Sequence, residues 1–332
     1  MNPRRCDEYD YLNFLVATQK SYSCLEAGRV QPPKLGAPAH DSLTRLLTRT
    51  EPNTEDLWQE AKPQVNLANG LLVLDDSTLD KPYAKQIDLV WRHWSGKHHQ
   101  TVRGINLLTL LWTDGDKHIP CDYRLYDKPN DNLSKNDHFA NLLQVAHQRG
   151  FKPTYVGFDS WYSGLSNLKR IQQFGWHWFT RLKSNRLVNP ERKSGNVPIA
   201  RIDIGPSGRV VHLKAYGLIK VFRTVSPNGD VEHWATNHLD RRPLERLSMA
   251  EPTWTIENYH RGIKQFCGIE KCQARSATAQ RNHIGFSIRA FLRFEIFSYF
   301  TGYSWFEAKM QIIRDAIRSY LENPKYILGS TA

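Results

Sequence analysis

Two short apolar runs, each ending on a carboxylate, constrain this chain most. Leu71-Leu72-Val73-Leu74 runs into Asp75-Asp76-Ser77-Thr78, and Tyr155-Val156-Gly157-Phe158 runs into Asp159. A continuous apolar run of this length reads as a strand buried on both faces, the kind found inside α/β sheets. In open α/β sheets, ligands and reacting groups collect at the edge where such strands end. A single aspartate there is most simply a cap on the next turn. Two of them, on strands able to lie side by side, are harder to set aside.

The flanking pattern supports a mixed α/β sheet. Helical spacing is expected over Asp10–Thr18 and over His40–Leu47, with Asp41 or Ser42 as N-cap. Asn53 opens a further helix with Asp56 in the capping position, and Pro63 ends it. After Asn69-Gly70, strands are expected at Leu71–Leu74, Gly104–Thr113 and Ile119–Tyr126. A helix over Asp137–Arg149, a strand over Tyr155–Phe158, a helix over Ser166–Phe174 and a strand over Trp176–Leu182 follow. That order is a meander feeding a βαβ unit. Residues 183–240 alternate and carry the turn Pro227-Asn228-Gly229-Asp230, so they read as a β-rich insertion. Its expected strands are Ala200–Ile204, Val210–Tyr216, Leu218–Thr224 and Val231–Thr236. From Pro243 to Glu322 the pattern is helical. The expected organisation is therefore a helical N-terminal region (1–65), the first part of a sheet domain (66–182), the insertion (183–240) and a helical completion (241–325). The N-terminal region reads either as a small DNA-binding bundle or as a brace.

Charge points to the partner. The 332 residues hold 45 Lys plus Arg against 33 Asp plus Glu, a formal net charge of +12. The excess is not spread evenly: residues 169–224 hold 12 basic and 2 acidic residues, whereas residues 1–65 hold 8 and 9. A second stretch, Lys271, Arg275, Arg281, Arg289 and Arg293, has no acid between its members. Basic residues interleaved with Trp176, Trp178, His212 and Tyr216 read as a surface that tracks phosphates. Acidic residues interrupt the N-terminus, excluding a signal-peptide core there, and Arg289, Arg293 and Glu295 exclude a membrane span in the aromatic stretch 284–306. Five scattered cysteines, with no Cys-x2-Cys, fit neither a zinc site nor a disulfide framework, and a reducing cytoplasm is expected.

A third carboxylate lies in the helical part. In Trp254-Thr255-Ile256-Glu257-Asn258-Tyr259-His260-Arg261-Gly262-Ile263-Lys264, the residues Glu257, His260, Arg261 and Lys264 share one helix face. The face reads either as a surface stripe with a weak Glu257–Arg261 pair or as a metal-binding Glu beside phosphate contacts.

Together these residues resemble the bacterial insertion-sequence transposases of the DDE superfamily, in the branch with a β insertion between the second Asp and the Glu. The resemblance spans residues 71–310 and rests on Asp76-Ser77-Thr78, Asp159 after Tyr-Val-Gly-Phe, and the Glu257-x6-Lys264 spacing. It implies an RNase H-like fold: a mixed sheet flanked by helices, with a β-rich insertion and a small helical N-terminal region. It implies two Mg²⁺ or Mn²⁺ ions held by Asp76, Asp159 and Glu257. The chemistry implied is in-line cleavage and strand transfer without a covalent enzyme intermediate. The partners implied are double-stranded DNA (terminal inverted repeats and target) and a second copy in the DNA complex, with no membrane, in the bacterial cytoplasm at the nucleoid.

Asp75 and Asp76 point to opposite faces of a strand. The Asp-x-Thr form selects Asp76 as the ligand, with Asp75, Ser77 and Thr78 in support. DNA contacts are expected from His260, Arg261, Lys264, Lys183, Arg186, Arg192, Lys193, Arg242 and Arg246. The branch often has Tyr-x2-Arg ahead of the Glu, but Ala250 and Thr253 stand there, so Arg242, Arg246 or Arg261 would have to replace that Arg. Trp176 and Trp234 read either as core or as aromatics that stack on a displaced base. Two other readings are a domesticated DNA-binding protein that no longer cuts and an RNase H-type nuclease.

Overall fold

A computed structural model describes residues 6–33, 35–95, 100–191, 195–225, 228–241 and 243–324, with backbone only for 95 and 243–254. Four helices open the chain: α1 (Glu8–Ala17), α2 (Cys24–Arg29), α3 (His40–Arg49) and α4 (Glu55–Ala61). Then come β1 (Leu71–Asp80), β2 (Trp91–Ser95), β3 (Gln100–Thr113), β4 (His118–Leu125), α5 (Lys128–Asp131), α6 (Lys135–Gln148), β5 (Tyr155–Phe158), α7 (Leu165–Gln173) and β6 (Trp178–Leu182). The insertion adds β7 (Leu187–Asn189), β8 (Val197–Pro198), β9 (Arg209–Leu213), β10 (Gly217–Val225) and β11 (Val231–Thr236). Helices α8 (Pro243–Phe266), α9 (Ala277–Thr301) and α10 (Trp305–Glu322) follow.

The described strands form one mixed sheet in the order β2-β3-β1-β5-β6-β11-β10-β9-β7-β8, with β4 also on β3. β1 is central: antiparallel to β3 and parallel to β5, which is itself parallel to β6. The insertion is not a separate layer, because β11 pairs antiparallel with β6 and continues the sheet. Tyr155, Phe179, Phe222 and Trp234 form a buried cluster on one face, with Leu71 packed against it. Burying one such large apolar side chain stabilises by about 1.5–3 kcal/mol. On the other face Phe139 of α6 stacks on Tyr162 (4.8 Å, 9°) and meets Phe158 edge-on.

Several expectations change. β1 does not stop at Leu74; it pairs with β3 as far as Asp80↔Gly104, so both aspartates are inside the strand. Backbone ladder bonds carry it through side chains that look like a turn. Gly104 permits the close pairing, since a Cβ there would sit 2.5 Å from the Leu79 carbonyl oxygen. The N-cap of α3 is Ala39 and that of α4 is Thr54, neither with a side-chain cap bond; Asp41, Glu55 and Asp56 instead lie in the first turns, where helix dipoles favour acids. Residues 199–201 form a 3-10 turn where a strand was expected. The pairs β2–β3 and β7–β8 were not anticipated.

The chain forms two compact units. One comprises Thr54–Lys85 and Leu89–His260 and contains the whole sheet. The other comprises Met1–Asn53, Gln86–Asp88 and Arg261–Ala332. Inside that helical unit α1 and α3 pack on α9: Tyr11 OH lies 2.9 Å from His283 Nδ1, Arg289 pairs with Glu8 at 2.7 Å, and Asn282 donates to the carbonyls of Leu47 and Thr50. Buried Lys309 donates to the carbonyls of Leu15, Val16 and Phe266, near the C-terminal ends of α1 and α8. These contacts pack α1 and α3 against the C-terminal helices of the same unit. None of the five cysteines is in a disulfide. Among the described residues no helix is long and apolar enough to cross a membrane.

Candidate active site

The site is built at one end of the parallel pair β1–β5, inside the sheet unit. Leu74 is level with Phe158, so Asp75 and Asp159 follow side by side on neighbouring strands. Asp159 caps the 3-10 turn Ser160–Tyr162, its carboxylate accepting from the Trp161 backbone N–H at 2.8 Å. Thr180 Oγ1 donates to the Phe158 carbonyl at 2.7 Å, which ties the end of β5 to β6. Burial pushes the Asp159 carboxyl up, and the charge of Asp76 adds to that, against the Trp161 N–H and Arg181.

The two β1 aspartates have different surroundings. Asp76 accepts from Asn106 Nδ2 at 2.7 Å, Lys135 Nζ at 2.8 Å and Tyr162 OH at 2.5 Å. Lys135 is the first residue of α6, fixed there by the Ser134–Asp137 capping box. Burial works to raise the Asp76 carboxyl, but Lys135 and these hydrogen bonds outweigh it and hold it below its ordinary value. Asp75 is pushed well above the ordinary value, by burial first and then by the charges of Asp76, Asp159 and Glu257. Glu257 on α8 is exposed, yet close enough to be felt there. Ser77 and Thr78 continue β1 past the carboxylates.

Among the described residues, no three His, Cys, Asp or Glu side chains converge closely enough to cage an ion as they stand. The donor set nevertheless fits a hard divalent cation. It is all carboxylate oxygen, and the burial and neighbouring negative charge that raise Asp75 and Asp159 are relieved by such a cation.

The basic residues divide. Lys183 is exposed and its Nζ lies 5.7 Å from the ring centre of Trp161, which is 57% exposed two residues past Asp159. Arg186 is half-buried. Arg261 is exposed, and Lys264 pairs with Glu270 at 3.2 Å. His260 is buried beside Tyr259, so it is not open to a phosphate here. Arg192, Lys193 and Arg242 lie outside the described residues, as does the side chain of Arg246. Trp176 and Trp234 are both buried, Trp234 stacked on Phe179 at 4.8 Å, so the structure uses them as core. Sequence reasoning missed Trp161, Lys135 and Tyr162. The signal for Trp161 was a large aromatic two residues after a strand-ending Asp, outside any apolar periodicity.

Residues 68–292 match the model of the family described as the transposase DDE domain. The chain belongs to this family. It is therefore a DNA transposase, an enzyme that cleaves DNA and transfers strands, in a family that uses divalent metal ions. Among solved structures it is similar to a piggyBac transposase in a synaptic complex with hairpin DNA. The TM-score is 0.55 at 10% identity, over 98% of this chain and 74% of that one. At that identity the likeness shows the fold of this DDE transposase. A Drosophila P element transposase strand transfer complex matches at a TM-score of 0.28 and 11% identity, over 58% of this chain and 40% of that one. That score adds nothing to the case. No curated protein matches the sequence significantly.

Proposed function

We propose that this DDE transposase is encoded by a bacterial insertion sequence. It works in the cytoplasm, at the nucleoid, on the terminal inverted repeats of its element, and joins the freed ends to target DNA as a homodimer. The observation that carries this reading is the set of carboxylates at the β1–β5 end, flanked by exposed Trp161 and Lys183. Asp159, Glu257 and one carboxylate of the β1 pair would hold two Mg²⁺ or Mn²⁺ ions. When bound, such ions supply Lewis-acid activation of an oxygen nucleophile and stabilisation of the leaving oxygen at a phosphodiester. Lys183, Arg186 and the further basic residues of 183–240 would grip the DNA backbone beside that centre. Arg261 and Lys264 of α8 would add phosphate contacts.

The test is Mg²⁺-dependent nicking of a terminal-repeat duplex, with EDTA as control and an RNA–DNA hybrid as competitor. Asp159→Asn and Glu257→Gln are expected to keep duplex binding and to lose nicking by at least about 10³-fold. A variant that still nicks near the wild-type rate would reject this site. Wild-type binding without cleavage would point to a domesticated DNA-binding protein, and preference for the hybrid to an RNase H-type nuclease.

A further inference from the structure

β1 contains two adjacent aspartates, and the Asp-x-Thr form of the sequence favours the second. Strand geometry divides them differently. In the parallel pair, Val73 is level with Gly157 and Leu74 with Phe158. Phe158 packs against Phe139 of α6, with ring centres 5.3 Å apart. Leu74 therefore faces α6, and Asp76, two residues on, faces it as well. There Asp76 is occupied by Lys135, Tyr162 and Asn106, a cation and two neutral donors that leave it satisfied.

The odd-numbered side of β1 looks the other way. Leu71 packs on the Tyr155 cluster of the opposite face, so Val73 and Asp75 lie on that face too. Tyr155, Gly157 and Asp159 are the matching series on β5, which makes Asp75 the lateral neighbour of Asp159. Burial and the neighbouring carboxylates Asp76, Asp159 and Glu257 act on Asp75 in the same direction, against the Asp76 backbone N–H. Beside Asp159 on the neighbouring strand, and on the face away from Lys135, Asp75 is placed as a carboxylate ligand to a hard cation would be.

We propose that Asp75 is the β1 carboxylate that joins Asp159 and Glu257 around the divalent cation, and that Asp76 anchors β1 to α6 through Lys135 and Tyr162. This rests on the metal-dependent reading above and assigns its β1 ligand.

The experiment is Mn²⁺ titration of the full chain with a terminal-repeat duplex, followed by electron paramagnetic resonance of free Mn²⁺, with thermal unfolding of each variant in EDTA. Asp75→Asn is expected to weaken Mn²⁺ binding at least tenfold while its melting temperature in EDTA stays level or rises, because a repelling charge is gone. Asp76→Asn is expected to keep Mn²⁺ affinity within about threefold and to melt lower, because Lys135 loses its partner. Should Asp76→Asn fail to fold, Tyr162→Phe removes one bond to Asp76 without touching charge and should likewise leave Mn²⁺ affinity unchanged. Loss of Mn²⁺ binding in Asp76→Asn or Tyr162→Phe, or its retention in Asp75→Asn, overturns the assignment. Failure of the metal reading looks different: Asp159→Asn and Glu257→Gln would then bind Mn²⁺ as the wild type does, or the wild type would bind none, and the assignment would fall with it.

Discussion

Lys135 Nζ lies 2.8 Å from Asp76 Oδ2, joining the first residue of α6 to the middle of β1. Both side chains are about one-fifth exposed, so the pair is neither a surface contact nor fully dry. Breaking such a pair leaves a carboxylate with two neutral donors and no counter-charge. Lys135→Met is therefore expected to cost about 2 kcal/mol, between the values typical of exposed and of fully buried pairs. Urea unfolding measures it, and Lys135→Arg should recover part of the loss. A change under about 0.5 kcal/mol would mean that Asn106 and Tyr162 hold Asp76 unaided.

Trp161 presents its ring to solvent beside Asp159, with Lys183 over it. An exposed aromatic next to a site that handles DNA can stack on a base, and each such stack is worth about 1–3 kcal/mol. Trp161→Ala is expected to weaken binding of a terminal duplex with an unpaired flank by roughly 5- to 100-fold, with Trp161→Phe largely restoring it. Unfolding stability should move by less than about 0.5 kcal/mol, as for exposed positions generally. Equal affinity of the Ala variant and the wild type would assign the ring to solvent alone.

Phosphate contacts are measured by salt. Each contact neutralised on a duplex contributes about −0.9 to the slope of log K against log salt. The double variant Lys183→Gln, Arg186→Gln should flatten that slope by roughly 1 to 2, with the larger share from exposed Lys183. Adding Arg192→Gln and Lys193→Gln should flatten it further. Filter binding or fluorescence anisotropy across a salt series reads the slope, and an unchanged slope would show that DNA passes over a different surface.

Elements whose signal lies in side-chain pattern were legible in the sequence: strands Tyr155–Phe158 and Val231–Thr236 have their expected ends, and α1, α6 and α7 lie within a few residues of theirs. What was not legible depends on pairing. The polar second half of β1 is strand because β3 pairs with it throughout, and the short β7–β8 pair has too few residues to show a period. That aspartates fall together where the β1–β5 pair ends could be read from residue type and position. Which of Asp75 and Asp76 faces which side could not, because that needs the register of β1 on β5 and the place of Lys135, 59 residues away along the chain. Trp176 and Trp234, which the sequence leaves open between core and base stacking, are core because the sheet buries both.

His93 gives the site's flank a dependence on acid. It is buried on β2, its ring 5.8 Å from that of Tyr126. Burial lowers its pKa from 6.5 to about 4; the charge of Lys135 pushes the same way and that of Asp76 opposes it. The folded chain therefore holds a neutral imidazole at a pH where the unfolded chain has taken up a proton. The resulting stability is fully present above 6.5 and is lost as pH falls from 6.5 toward about 4, by at most about 3 kcal/mol. Asp76 acts in a lower window, since its folded pKa lies below the ordinary carboxylate value and its contribution fades only as pH falls through that range. His93→Gln removes the first titration and leaves the second. Urea unfolding at a series of pH values should then show a flatter loss of stability between 6.5 and 4 in the variant than in the wild type. Parallel curves would mean that His93 is protonated alike in both states.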